Sequence, residues 1–226
     1  MVELTVADFV KYISKQVRDP YGRQIGKIAA FISDTLSKVK AVVLEHGDGE
    51  YNGYSTEYVA IEGDIIKILS ELKVEAGKLA KELELAWKKS MALEELKEKK
   101  EIPQEVYEHF RPQYEATLKE LKGRATEVVE KIKERIAELE SQTRILQLAL
   151  ASAKVSHRIG EIDDAFFNSI TNMIQTGMNR ISSERKDLEA SIAELEKLIA
   201  TPPALPKVVA GKESEETGAL VVRIKE

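Results

Sequence analysis

A long heptad repeat of apolar residues is the feature that most constrains this chain. Apolar side chains recur in alternating steps of three and four residues over 69–86, again over 118–153, and again over 174–199. This spacing places them on one narrow stripe of an α-helix, which is stable when a facing helix covers it. The repeat therefore predicts a coiled-coil region over residues 70–200.

Two prolines and one loose stretch divide this region. Pro103 and Pro112 each lack an amide hydrogen, so we expect the helix to break or restart at both. Around residues 156–164 the apolar pattern loosens, which is compatible with a bend or hairpin tip and equally with one continuous helix. In the last stretch the stripe is expected to run through Ile181, Arg185 and Leu188.

We expect the stripe to drive self-association, because burying one leucine stabilises a contact by ~1.5–3 kcal/mol. The residues assigned to this role are Leu79, Leu83, Leu121, Leu139, Leu146, Leu188 and Leu195. Trp87 lies beside the stripe and is expected to pack against a partner helix.

The first 69 residues have a different pattern. Six of the twelve glycines lie between Gly22 and Gly63, among short β-branched runs. Closely spaced short strands with turn residues between them predict a small β-barrel. The connection between the third and fourth strands is expected at Gly47–Gly49 and Asn52–Gly53. The predicted strands cover residues 16–19, 25–33, 39–45, 54–61 and 65–69.

The C-terminal segment predicts a linker and a strand. Pro202 and Pro203 end the last helix, and residues 201–217 are polar or proline-containing, as is typical of a flexible linker. Residues 218–226 alternate apolar and polar positions, which is typical of a strand with one apolar face. The expected partner-binding residues are Leu220, Val221, Val222, Arg223, Ile224 and Lys225.

No pattern typical of catalysis or of cofactor binding occurs. The chain has no cysteine, no glycine-rich nucleotide motif followed by lysine, and three widely separated histidines, His46, His109 and His157. We therefore expect no enzyme activity, cofactor or metal. The net charge of −5 is evenly spread, so nucleic-acid binding is not expected. The absence of an apolar leader or spanning segment predicts an intracellular, soluble protein.

Residues 16–28, with the run Ile25-Gly26-Lys27-Ile28 after the turn at Pro20–Gly22, resemble the opening of a PRC-barrel domain. Residues 58–66 resemble its final hairpin. Gly22 permits the turn and Gly26 permits close backbone approach. The resemblance implies an α+β protein, in which a PRC-type β-barrel precedes a long α-helical coiled coil and a short C-terminal strand peptide.

The whole layout resembles the CdvA family of archaeal cell-division proteins. That resemblance implies homodimers and polymers that recruit an ESCRT-III-like winged-helix protein, CdvB-like, through residues 220–225. It also implies a cytoplasmic location at the mid-cell division site, near the inner face of the membrane, with indirect or peripheral membrane contact. Two other interpretations stay open, a ribosome- or RNA-associated PRC-barrel factor and an enzyme with an unrecognised site. The even charge and the long coiled coil argue against the RNA-associated factor.

Overall fold

The N-terminal part of the molecule is a six-stranded sheet with a short helical cap. The structure, a computed structural model, describes residues 5–63 and 65–202. A helix α1 (Val6–Phe9) and a 3-10 turn (Val10–Tyr12) precede the sheet, whose strands follow in the order β4-β3-β2-β1-β6-β5. The strands are β1 (Gln16–Arg18), β2 (Gln24–Ser33), β3 (Val39–His46), β4 (Tyr51–Ser55), β5 (Val59–Glu62) and β6 (Ile65–Ile68).

The apolar face of the sheet packs under the cap. Phe9 from α1 and Tyr12 from the 3-10 turn are buried against the alternating inward residues of the strands, such as Val42 and Leu44. Gly26 brings β2 close to β3, since a Cβ at this position would lie 2.3 Å from the carbonyl oxygen of Glu45. The close approach expected at Gly26 is therefore confirmed.

The ladder of strands does not close into a ring. Strands β4 and β5 each pair with one neighbour, so both remain edges of the described sheet. The single strand expected over 54–61 is divided by a 3-10 turn at Thr56–Tyr58, which replaces the residues that would have continued the ladder. Asn52 and Gly53 lie within β4, paired with β3, and only residues 47–50 connect the two strands. The α+β class is confirmed, whereas closure of the barrel is not.

Three helices of unequal length form the rest of the molecule. They are α2 (Glu71–Glu98), α3 (Gln104–Arg158) and α4 (Asp164–Ala200). At 1.5 Å per residue their lengths are about 42, 82 and 55 Å. The break at Pro103 is confirmed, because this residue is the N-cap of α3.

The open question at 156–164 is answered by a hairpin. Helix α3 ends at Arg158, Gly160 takes a left-handed φ of +78°, and the Asp163 side chain accepts a 2.7 Å hydrogen bond from the amide of Phe166. The His157 ring stacks on Phe167 with 4.4 Å between ring centroids. Helix α4 therefore returns along α3.

The expected break at Pro112 is wrong, since α3 runs through this residue. Its ring removes one backbone hydrogen bond, whose acceptor would be the carbonyl of Glu108. Residues 108–113 are all exposed, so water can solvate that carbonyl. The side chain of Gln113 also donates to the carbonyl of His109 at 3.2 Å.

The apolar stripes of the three helices meet in one core within a single chain. The leucines expected to drive self-association lie in this core: Leu79, Leu83, Leu121, Leu139, Leu188 and Leu195 are buried, and Leu146 packs against them partly buried. The premise that these side chains are free for another copy is therefore not met. The seam is covered by the chain's own helices, because the hairpin and the short 98–104 connection bring three stripes together.

We expect Leu139→Ala to lower the free energy of unfolding by about 2–5 kcal/mol, because Leu139 is 0% exposed and its truncation leaves a cavity. The control is Leu85→Ala on α2, where the side chain is 54% exposed and little should change. Chemical denaturation followed by circular dichroism measures both. Equal effects of the two variants would contradict the three-helix core.

Candidate functional site at the junction of sheet and helices

The turn between β1 and β2 presents a cation to the helices. Asp19 organises this turn, since its Oδ1 accepts hydrogen bonds from the amides of Tyr21 at 2.9 Å and Arg23 at 2.8 Å. Gly22 has a φ of +83°, a conformation that glycine adopts without strain. The other Asp19 oxygen accepts from the Arg23 guanidinium. The turn therefore holds Arg23 in a fixed direction.

Arg23 meets a buried carboxylate on α4. Glu184 is 6% exposed and bridges two guanidinium groups. One of its oxygens accepts from Arg23 of the sheet, and the other accepts from Arg135 of α3 at 2.9 Å. Arg135 also donates to Glu138 at 2.8 Å. Because a buried carboxylate is stable only when its charge is compensated, these contacts join the sheet, α3 and α4 at one point.

A second polar contact lies beside the first. The Tyr21 hydroxyl donates to Asp187 of α4 at 3.3 Å, and Lys73 at the start of α2 pairs with the same carboxylate. Burial raises the pKa of the Tyr21 hydroxyl above its ordinary value, and the negative charge of Asp187 raises it further. The junction is thus a small network of paired charges, and within the described residues no group of three or more His, Cys, Asp or Glu side chains could hold a metal ion.

Comparison with known proteins places this architecture in a family. Residues 71–217 match the family described as CdvA-like coiled-coil domain. The chain belongs to this family. It is 25% identical, over 86% of its own length and 82% of the relative's, to the Cell division protein A of Sulfolobus acidocaldarius. No solved structure matches the chain. The CdvA-like match covers α2, α3 and α4 entirely, and the chain is a homologue of a cell-division protein.

The expected position of Arg185 on the apolar stripe of α4 is wrong. The stripe was expected to pass through Arg185, but Arg185 is exposed and pairs with Glu140 and Glu189, while Glu184 turns inward. Both positions are compatible with the stripe, since a helix has 3.6 residues per turn. The sequence does show a glutamate between Ile181 and Leu188. The arginines that pair with it are distant in sequence and come close only in the fold.

Gly49 and Trp87, two other residues that the sequence singled out, lie within the described part of the chain. Gly49 has a φ of +86° in the turn between β3 and β4, which confirms the hairpin expected there. Trp87 donates its Nε1 hydrogen to the carbonyl of Leu198 at 2.8 Å, so it packs on a helix, as expected, although that helix belongs to its own chain. The residues expected to bind a partner, Leu220 to Lys225, lie outside the described residues. Among the described helices, none is long and apolar enough to cross a membrane.

We expect Glu184→Gln to lower the free energy of unfolding by about 2 kcal/mol, because it removes the negative charge that two partly buried arginines share. The control is Glu138→Gln, which removes an exposed partner of Arg135 and should have little effect. Thermal unfolding of both variants is the measurement. A Glu184→Gln protein as stable as the control would contradict a stabilising junction.

The raised pKa of Tyr21 predicts a loss of stability in alkali. Tyrosine in an unfolded chain ionises near pH ~10, whereas the folded chain retains the proton to higher pH. The contribution is therefore fully present below pH ~10 and is lost as pH rises further. The difference in stability between the wild type and Tyr21→Phe isolates this group from the other tyrosines. It should favour the wild type at pH ~8 and shrink above pH ~10, whereas a constant difference would contradict the assignment.

Proposed function

We propose that the chain is a self-assembling scaffold of cell division that presents its C-terminal peptide to an ESCRT-III-like winged-helix protein. The observation that carries this proposal is the CdvA-like match over residues 71–217, supported by the similarity to a protein named Cell division protein A. In this proposal the chain works in the cytoplasm at the division site, near the inner face of the membrane, with peripheral or indirect membrane contact.

The three-helix core limits which surfaces can serve assembly. Because the main apolar stripes are covered within one chain, contacts between copies must use other parts of the molecule. The open sheet is one source, since β4 is an edge strand and Tyr51 on it is 62% exposed. An open filament needs two different contacts per chain or one contact that does not close on itself. The edge of the sheet and the helical region can supply two.

The tail is suited to strand addition. Leu220, Val222 and Ile224 alternate onto one face of residues 218–226, which is the pattern of a peptide that pairs with an exposed sheet edge. Helix α4 begins at the hairpin and ends about 55 Å away, so the linker leaves the molecule far from the hairpin tip. Residues 202–217, if extended, reach at most about 55 Å. The linker is therefore long enough for a partner bound to the tail to lie away from the helices.

Two substitutions on adjacent residues test the tail. Val222→Glu places a charge on the apolar face and should weaken capture of the winged-helix partner by more than roughly tenfold. Val221→Glu adds the same charge to the opposite face of the strand and should change capture little. Pull-down and fluorescence anisotropy with the purified winged-helix protein measure both variants, and electron microscopy should show assembly unchanged.

Deleting residues 218–226 distinguishes recruitment from a structural role. Recruitment predicts lost capture with unchanged thermal stability. A large drop in stability would instead show that the strand completes an open edge of the sheet, at β4 or β5, and would overturn the recruitment role. A full chain that remains monomeric at every accessible concentration would overturn the scaffold role.

A further inference from the structure

The distal half of α3 carries two apolar stripes. The inner stripe faces α4 and includes Leu146, whose Cδ1 lies only 3.3 Å from where a Cβ on Gly177 would be. The second stripe, here named the outer seam, follows the heptad steps 3-4-3-4 along Ile145, Leu148, Ser152, Val155 and Ile159, the last of which is the C-cap of α3. Its four apolar side chains are 62%, 72%, 62% and 64% exposed.

The outer seam begins abruptly. Continued towards the N-terminus of α3 in the same heptad steps, this line passes through Ser141, Glu138, Glu134 and Lys131, all polar and all exposed. The helix therefore changes from a solvated face to an apolar face at Ile145. The change lies beyond the start of α2, because Lys73 in the first turn of α2 already pairs with Asp187 of α4. Within residues 5–63 and 65–202, no element of the chain's own fold covers these apolar residues.

We propose that the outer seam binds the outer seam of a second copy of this chain, with the two α3 helices antiparallel. This inference rests on the proposed self-assembly and names one of its contacts. A 3-4-3-4 apolar line is the surface that a second helix covers, and it matches itself. Small residues flank the line at Ala149, Ala151 and Ser156, which allows the two helices to approach closely.

Side-chain sizes favour one antiparallel register. With the two-fold axis near residue 150, Leu148 of each copy lies opposite the small Ser152 of the other, and Ile145 lies opposite Val155. Large side chains then fill the space over small ones, as close packing requires. Each pair occurs twice, because a two-fold contact repeats every interaction.

Charge supports the same direction. Residues 142–160 contain Arg144, Lys154 and Arg158 and no aspartate or glutamate. A parallel pair would align these cations with their own copies. An antiparallel pair instead brings Arg158 close to Glu138 and Glu140 of the other chain, which precede the outer seam on α3. The outer seam spans about 21 Å, so we expect a micromolar contact that a polymer repeats many times.

The first test adds charge to the seam of the full chain. Leu148→Glu with Val155→Glu should raise the dimer dissociation constant roughly a hundredfold, measured by sedimentation velocity up to about 200 µM. The matched control is Leu85→Glu with Val106→Glu, which places the same charges on exposed apolar residues elsewhere in the bundle. Circular dichroism confirms that both variants fold. Equal association of the two double variants would overturn the proposal.

The second test measures direction without disturbing the fold. The chain has no cysteine, so single thiols can be introduced cleanly. A mixture of Leu148→Cys chains and tagged Ser152→Cys chains should form a mixed disulfide on oxidation, since these positions face each other in the antiparallel register. Efficient cross-linking of each variant to itself, without the mixed product, would show parallel pairing and overturn the proposed register.

The outcomes separate this inference from the proposed function. A wild-type chain that never associates overturns both. A chain that assembles equally well with and without the seam charges keeps the scaffold role and overturns the seam contact. A wild-type chain that is monomeric in solution but binds anionic vesicles through Leu148 and Val155 would assign the basic, apolar segment to a lipid surface, and would also overturn it.

Discussion

Helix α3 has 55 residues and α2 has 28, so α2 can cover only half of the long apolar stripe on α3. This difference in length arranges the rest of the molecule. Beside α2, three helices bury a continuous core that includes Leu83, Ile132 and Leu195. Beyond the start of α2, α4 is the only one of the described helices that runs beside α3 to the hairpin. Only residues 69 and 70 join β6 to α2, so the sheet lies beside the start of α2.

Glu184 occupies the boundary between these two halves. A carboxylate in an apolar stripe is costly to bury unless its charge is compensated, and here Arg23 and Arg135 compensate it from two different elements. An apolar residue at this position could not pair with Arg23 and Arg135. Glu184 therefore links the β1–β2 turn to α3 and α4 through its two carboxylate oxygens.

Covering the leucine seam within one chain limits which surfaces the proposed self-assembly could use. The deepest apolar surface is buried within one chain and stabilises the three-helix core. The proposed assembly would then depend on surfaces that the described residues of one chain leave exposed, namely the open edges of the sheet and the apolar line of Ile145 to Ile159. These surfaces are smaller than a long coiled coil, so each proposed contact would be individually weak.

Much of this architecture is readable from short stretches of the chain. Gly22 and Gly49 mark turns, Pro103 marks the helix start, and heptad steps mark helices, because these signals act over a few residues. The period of the stripe does not specify whether the facing helix belongs to the same chain or to another copy. The sequence alone therefore could not identify the helix that covers Leu139. The predictions at Pro112 and Arg185 are wrong because both depend on neighbours far along the chain. These neighbours decide whether water reaches the carbonyl of Glu108, and whether Glu184 or Arg185 faces the core. Likewise, Glu184 becomes a junction residue only when folding brings Arg23 and Arg135 together around it, since charge compensation depends on distance in space.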